Sequence, residues 1–253
     1  FKGYTAEQPY ERLVPDGSMN IVIELDNQLR HIVDNESHKP ISDYTQVWVS
    51  GLHDNYFTIT VPPDSELLVI RFKPGGARPF LHKPIHELKG KVLNVNDQLW
   101  AELLDLRDTI IKADLWESKL DLATEWLHTA YRENHRPPDT ILSTIQQIQN
   151  QSTFLVNQMD MLAEQAGYSK KHFIETFKKF TGVSPKVFQR IMRFNEAILK
   201  IREGKTVNWA QLSIDCGYYD QAHFIKEFQA FSGFNPKEFI ALESDRTNFF
   251  TLS

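Results

Sequence analysis

Apolar residues follow two different periods in the two halves of this 253-residue chain. In the first part they come in short dense runs at 19–25, 46–49, 56–61 and 66–72, rich in Val, Ile and aromatic residues. Asp26-Asn27-Gln28, Pro62-Pro63-Asp64 and Pro74-Gly75-Gly76 punctuate them. Such runs predict strands, the first leading into a hairpin turn at Asp26-Asn27-Gln28. Short strands at this spacing suggest a small antiparallel β barrel or sandwich. Around Trp100 the period lengthens. Leu99, Leu103, Leu104, Leu106, Ile110 and Ile111, then Leu115, Leu120, Leu122, Trp126, Leu127 and Tyr131, predict a helical hairpin that ends before Pro137-Pro138.

Beyond Asp139 the pattern is helical and written twice. Leu162-Ala163-Glu164-Gln165-Ala166-Gly167-Tyr168, with Phe173, Phe177, Phe180, Gly182, Pro185 and Phe188, returns as Leu212-Ser213-Ile214-Asp215-Cys216-Gly217-Tyr218, with Phe224, Phe228, Phe231, Gly233, Pro236 and Phe239. The shift is fifty residues before the turn and fifty-one after it, so the second copy carries one extra residue between its glycine and its helix. An internal repeat points to two similar modules side by side. Each copy reads as helix, tight turn, helix: Gly167 stands where the chain leaves the first helix, and Ser169 is a natural N-cap for the second. Phe173, Phe177 and Phe180 fall at i, i+4 and i+7 and face inward. The opposite face carries Lys170, Lys171, Ile174, Glu175 and Lys178, and in the second copy Gln221, Ala222, Ile225 and Lys226. A helix-turn-helix of this kind lays its second helix in the DNA major groove, where side chains distinguish base pairs.

Between the modules, Ser184-Pro185 opens a stretch without a breaker until Gly204. About 18 residues make a rod of roughly 27 Å, comparable to the ~34 Å at which DNA repeats its major groove on one face. Charge follows the same division. Residues 1–138 hold 15 Lys and Arg against 21 Asp and Glu, a net of −6, whereas the rest holds 13 against 12. From Lys170 to Lys205 ten basic residues (Lys170, Lys171, Lys178, Lys179, Lys186, Arg190, Arg193, Lys200, Arg202 and Lys205) face three acidic ones, the footprint expected of a phosphate-binding surface.

Two helix-turn-helix units with these turns, the phenylalanine ladder, the Gly-Val-Ser-Pro and Gly-Phe-Asn-Pro exits and a connecting helix with Arg193 and Ala197 resemble the DNA-binding domain of AraC/XylS-family transcription regulators. The resemblance implies base readers at Lys171, Ile174 and Glu175 in the first module and at Gln221, Ala222, Ile225 and Lys226 in the second. Helical position puts Lys178 and Lys179 closer to the groove's flank, and Lys170 is a further candidate DNA contact. Glu175 stands where the family frequently has arginine. An acidic side chain there can read a cytosine amino group, while Ile174, Ala222 and Ile225 favour thymine methyl groups. The stretch 71–77 with a helical hairpin behind it is similar to the cupin-like amino-terminal domain of one subgroup. The resemblance therefore implies promoter DNA and RNA polymerase as partners, with a small-molecule effector and a homodimer as further possibilities.

The expected architecture is α+β: residues 1–136 form a cupin-like sensing or dimerisation domain with its helical hairpin, 139–242 the double helix-turn-helix, and 243–253 a carboxy-terminal tail. The competing class is a cupin-like enzyme or ligand-binding protein with a helical assembly domain. Catalytic machinery is not legible: there is no glycine-rich phosphate loop, no Ser/His/Asp order and no cysteine pair. His82, His86 and Glu87 form the closest metal-like cluster, but Pro84 interrupts the helix that would align the pair, so no metal or cofactor is expected. Cys216, the single cysteine, reads as a small core residue and excludes an intrachain disulfide framework. No run approaches the ~20 apolar residues of a membrane helix. The chain does not begin with methionine, which suggests trimming, and the cytoplasm is the expected compartment.

Overall fold

The computed structural model describes residues 4, 9–96, 98–150, 159–203, 207–240 and 249–251. Gly204, Lys205 and most of the expected 243–253 tail lie outside the described residues. The amino-terminal half contains β1 (Tyr10–Leu13), β2 (Met19–Glu24), β3 (Arg30–Val33), β4 (Pro40–Tyr44), β5 (Val47–Ser50), β6 (Phe57–Thr60) and β7 (Leu67–Phe72). A short helix α1 (Arg78–Leu81) and a 3-10 turn (Ile85–Leu88) lead to β8 (Val92–Asn94), then to α2 (Glu102–Lys112) and α3 (Trp116–Ala130). The carboxy-terminal half is α4 (Asp139–Asn150), α5 (Met159–Gln165), α6 (Lys170–Thr181), α7 (Pro185–Glu203), α8 (Trp209–Asp215), α9 (Gln221–Ser232) and α10 (Pro236–Phe239), followed by β9 (Phe249–Thr251).

The strands form two antiparallel sheets, ordered β4-β3-β6-β1-β9 and β7-β2-β5-β8. The second sheet is covered on both faces. Ile21, Ile23, Val47, Val49 and Leu68 belong to one core with Leu81, Ile85, Leu103 and Ile110 of the helical layer, while Val22, Trp48 and Val69 of the same strands line a cavity between the sheets. Burial on both faces explains why 19–25 and 66–72 read as nearly unbroken apolar runs. The strands that periodicity did not indicate are short and charged (β1 and β3), exposed (β4) or only three residues long (β8 and β9).

One expectation needs correction. Asp26-Asn27-Gln28 does not close a hairpin, because β2 pairs with β5 and β7 whereas β3 lies in the other sheet, beside β4 and β6. The chain changes sheets there through Asn27, at φ 57°, and an ionic cluster holds the crossing. The Arg30 guanidinium lies 2.9 Å from Glu24 and 2.6 Å from Asp26. Asp26 also accepts the Glu66 N–H at 2.7 Å, and Arg107 Nε donates to the Glu24 carbonyl at 2.7 Å. Turn-forming residue types serve a corner as well as a hairpin, and only the pairing of the strands distinguishes them.

The helical half is built around α7, a 19-residue rod of about 28 Å. Phe188 packs against Phe177 of the first module at 5.8 Å between ring centroids, and Phe194 against Phe228 and Phe231 of the second, each at 5.2 Å. Phe177, Phe188, Phe194 and Phe228 are fully buried. Truncating either α7 ring leaves a cavity on one side only. Phe188→Ala and Phe194→Ala are each expected to cost ~3–5 kcal/mol, read from the midpoint of urea unfolding, whereas Lys186→Ala on the exposed face should stay within about 0.5 kcal/mol.

Candidate nucleic-acid interface

The repeat persists at the level of single hydrogen bonds. In the first module the Gly167 N–H donates to the Glu164 carbonyl and Tyr168 N–H to Ala163, both at 2.9 Å; in the second, Gly217 donates to Ile214 and Tyr218 to Ser213 at the same length. Ser169 caps α6 by accepting the His172 N–H, and Asp220 caps α9 by accepting that of His223. The extra residue of the second copy is absorbed in this turn, since α6 begins three residues after Gly167 and α9 four after Gly217. At the helix ends Gly182 and Gly233 donate to Lys178 and Gln229, each at 2.8 Å, and the Thr181 and Ser232 hydroxyls donate back to Phe177 and Phe228.

The outer faces of α6 and α9 hold the residues singled out from the sequence. Lys170, Lys171, Glu175, Lys179, Gln221, Ala222 and Lys226 are exposed. Lys178, Ile174 and Ile225 are half-buried, and Ile225 packs partly against the core, so the two isoleucines offer only part of their side chains outward. Lys170 pairs with Asp160 and Lys178 with Glu175, both at 3.1 Å.

The basic run from Lys170 to Lys205 is less of a free surface than its composition implied. Arg190 and Arg193 turn inward to Glu227, at 2.6 and 3.4 Å, and Arg193 also donates to the Gly217 carbonyl at 2.9 Å. Lys200 binds Glu196 at 2.9 Å, and the Arg202 guanidinium lies over Phe250. Arg190 and Arg193 thereby join α7 to the second module, whereas the Lys200 pair lies within α7 and Arg202 reaches β9. Glu227 carries no obvious signal in the sequence; its clue is that it stands in the second copy where the first has Thr176, the one buried acid of the ladder.

Both modules touch the amino-terminal domain at equivalent corners. A side chain at Gly182, where φ is +91°, would press on Leu52 and Ile85, and one at Gly233, where φ is +73°, would collide with Arg12 and Tyr56. The Arg12 guanidinium is held between the rings of Tyr56 and Phe234, 4.5 Å from each centroid, and α7 is tethered by Asn195 Nδ2, which donates to the Pro15 carbonyl at 3.0 Å. The tail strand β9 pairs with β1, placing Phe250 opposite Arg12 and against Phe239 at 4.7 Å.

Behind these contacts lies a cavity of about 320 Å³ between the two sheets. Glu11 and Leu13, on either side of Arg12 in β1, line it, as do Gly51, His53 and Phe57 in the segment that carries Leu52 and Tyr56. Neighbouring residues of two short stretches thus face the cavity and the helix-turn-helix modules. Burial pushes His53 down to about 4, so its imidazole is neutral at physiological pH. Burial likewise pushes the Cys216 thiol up to about 11, and its side chain is fully enclosed. Among the described residues no three His, Cys, Asp or Glu side chains are placed to hold a metal. His82 instead meets the Ala130 carbonyl at 2.8 Å and the His135 ring.

Residues 162–241 match the family described as a helix-turn-helix domain. This stretch holds both copies of the repeat, so the chain carries a helix-turn-helix domain. Residues 2–94 match a domain of unknown function (DUF6597). No curated protein matches the chain. Among solved structures it is similar to ToxT from Vibrio cholerae, at 10% identity over 93% of this chain and 95% of that one, with a TM-score of 0.47. An unsaturated fatty acid bound form of wild-type ToxT is similar at 12% identity over 92% and 93%, TM-score 0.44. The C-terminal domain of AraT, a response regulator from Geobacillus stearothermophilus, is similar at 18% identity over 45% of this chain and 94% of that one, TM-score 0.38.

Two predictions follow from the site. Removing Glu227 leaves Arg193 largely buried without its carboxylate, so Glu227→Ala should lower stability by on the order of 2–4 kcal/mol and weaken binding to every duplex alike; a selective loss on one sequence would mean that Glu227 acts at the bases. For His53, the folded state favours the neutral ring, so its contribution is complete above the unfolded value of 6.5 and is lost as pH falls toward about 4. Urea unfolding between pH 7 and 4 should show roughly 2–3 kcal/mol of this loss, and His53→Asn should flatten that part of the profile.

Proposed function

We propose that the chain is a transcription regulator of the AraC type that lays α6 and α9 in successive major grooves of promoter DNA. The observation that carries this reading is the duplicated turn: two capped helices of twelve residues each, set by the same hydrogen bonds, with their polar outer faces uncovered. Base edges are read by Lys171, Ile174 and Glu175 in one module and by Gln221, Ala222, Ile225 and Lys226 in the other, and Lys170, Lys178 and Lys179 contact the flanking phosphates. Because Glu175 holds Lys178 in the free protein, reading a cytosine amino group there requires that pair to open. Bound in this way in a bacterial cytoplasm, the protein contacts RNA polymerase, and a homodimer would double the operator.

The amino-terminal domain senses a small molecule in its cavity. Leu52 and Tyr56 lie in the segment 51–57 that also lines the cavity, and they support the reading by touching the corners at Gly182 and Gly233. An occupant that shifts this segment shifts the balance between arrangements of the two modules. An enzyme with a helical assembly domain would leave both uncovered helix faces without a task.

The test is binding to duplex DNA over a range of salt. Steep salt dependence is expected, because phosphate contacts release counterions, and a flat response would favour the assembly reading. On an operator selected from random fragments, Lys226→Ala should cost ~1–3 kcal/mol and relax the preference at one base, while Lys179→Ala weakens all sequences equally. Equal losses on operator and scrambled duplex for Lys226→Ala would remove Lys226 from the base readers.

A further inference from the structure

The cavity between the sheets is apolar along Val22, Trp48, Phe57, Ile59, Leu67 and Val69, and its cations are already committed. Arg30, 5% exposed in its side chain, lies between Glu24 and Asp26 at 2.9 and 2.6 Å and donates to Ser65 Oγ at 3.0 Å. His31 meets Asp43 at 2.7 Å, and Arg71 pairs with Asp16 at the rim. His53 offers no charge: burial keeps it neutral, its ring tilted against Phe57 at 4.3 Å between centroids with Ser50 Oγ 3.3 Å from its Nε2. Glu11 adds a buried carboxylate to the wall, accepting from the Tyr4 hydroxyl.

An anion entering this space would have to draw a cation away from a carboxylate that stays behind in the protein, and burying unpaired charge is far costlier than burying a hydroxyl or carbonyl with a partner. A neutral imidazole can donate from one nitrogen or accept at the other. We propose that the cavity takes an uncharged, largely apolar molecule whose single hydrogen-bonding group sits against His53, and that it rejects carboxylates of the same skeleton. This rests on the reading of the cavity as the sensor site. At about 320 Å³ the space lies at the small end of the ~300–1,000 Å³ typical of ligand pockets.

The experiment compares octan-1-ol with octanoate on the full chain at pH 7.5, by calorimetry and thermal shift. Octan-1-ol should bind about tenfold or more tightly than octanoate, and Val69→Trp, which fills the cavity, should abolish its binding. Asp16→Asn, which releases Arg71 at the rim, should raise octanoate affinity and narrow the gap without depending on the fold of the filled variant. Octanoate binding as tightly as octan-1-ol in the unaltered protein overturns the ligand class while leaving the sensor reading intact. If neither probe binds, or if octan-1-ol binds a folded Val69→Trp protein undiminished, the sensor reading falls and the ligand class with it.

Discussion

The buried face of α7 is the constraint on which the helical half depends. Phe188 completes the core of the first module and Phe194 that of the second, so one helix contributes to two small cores and ties their orientation together. A module of two short helices buries too little apolar surface to stand alone. Sharing α7 supplies the missing core and fixes the separation of α6 and α9 in the same step. The ion pairs of Arg190 and Arg193 with Glu227 add direction to this packing, because each guanidinium donates to a separate oxygen of the one carboxylate.

The amino-terminal domain meets this assembly at its stiff points. Gly182 and Gly233 end α6 and α9, and both lie where a side chain would strike the neighbouring domain. The segment 51–57 therefore abuts helix ends rather than loose loops. The β1 strand works in the same manner through alternation: Glu11 and Leu13 face the cavity while Arg12, between them, reaches Phe234 and the Ser232 carbonyl. Strand geometry sets this placement, since successive side chains point to opposite faces. With β9 added to the edge of β1, the core runs continuously from Ile21 to Phe250.

Much of this was legible from local pattern. The helix-turn-helix repeat, the N-cap at Ser169, the inward phenylalanines and the strands at 19–25 and 66–72 rest on periodicity and capping, which are properties of contiguous residues. The burial of Cys216 was readable because a small apolar residue is matched at the equivalent position by Ala166. Which basic residues remain outward was not readable, because composition counts Arg190 and Arg193 as surface charge and cannot register that Glu227, more than thirty residues away, is folded beneath them.

The chain's own order of residues thus dictates two helix-turn-helix modules, a rod between them and a sheet-rich domain before them, since each of these is decided by interactions within a few turns or a few strand residues. Tertiary structure decides the rest: that Asp26-Asn27-Gln28 is a crossing between sheets, that β9 returns to pair with β1, and that Leu52, Tyr56 and Arg12 join a cavity to both modules. These depend on contacts between residues far apart in the chain, where no short-range propensity distinguishes one partner from another. Burial in a shared core, which no single segment can achieve, makes the choice.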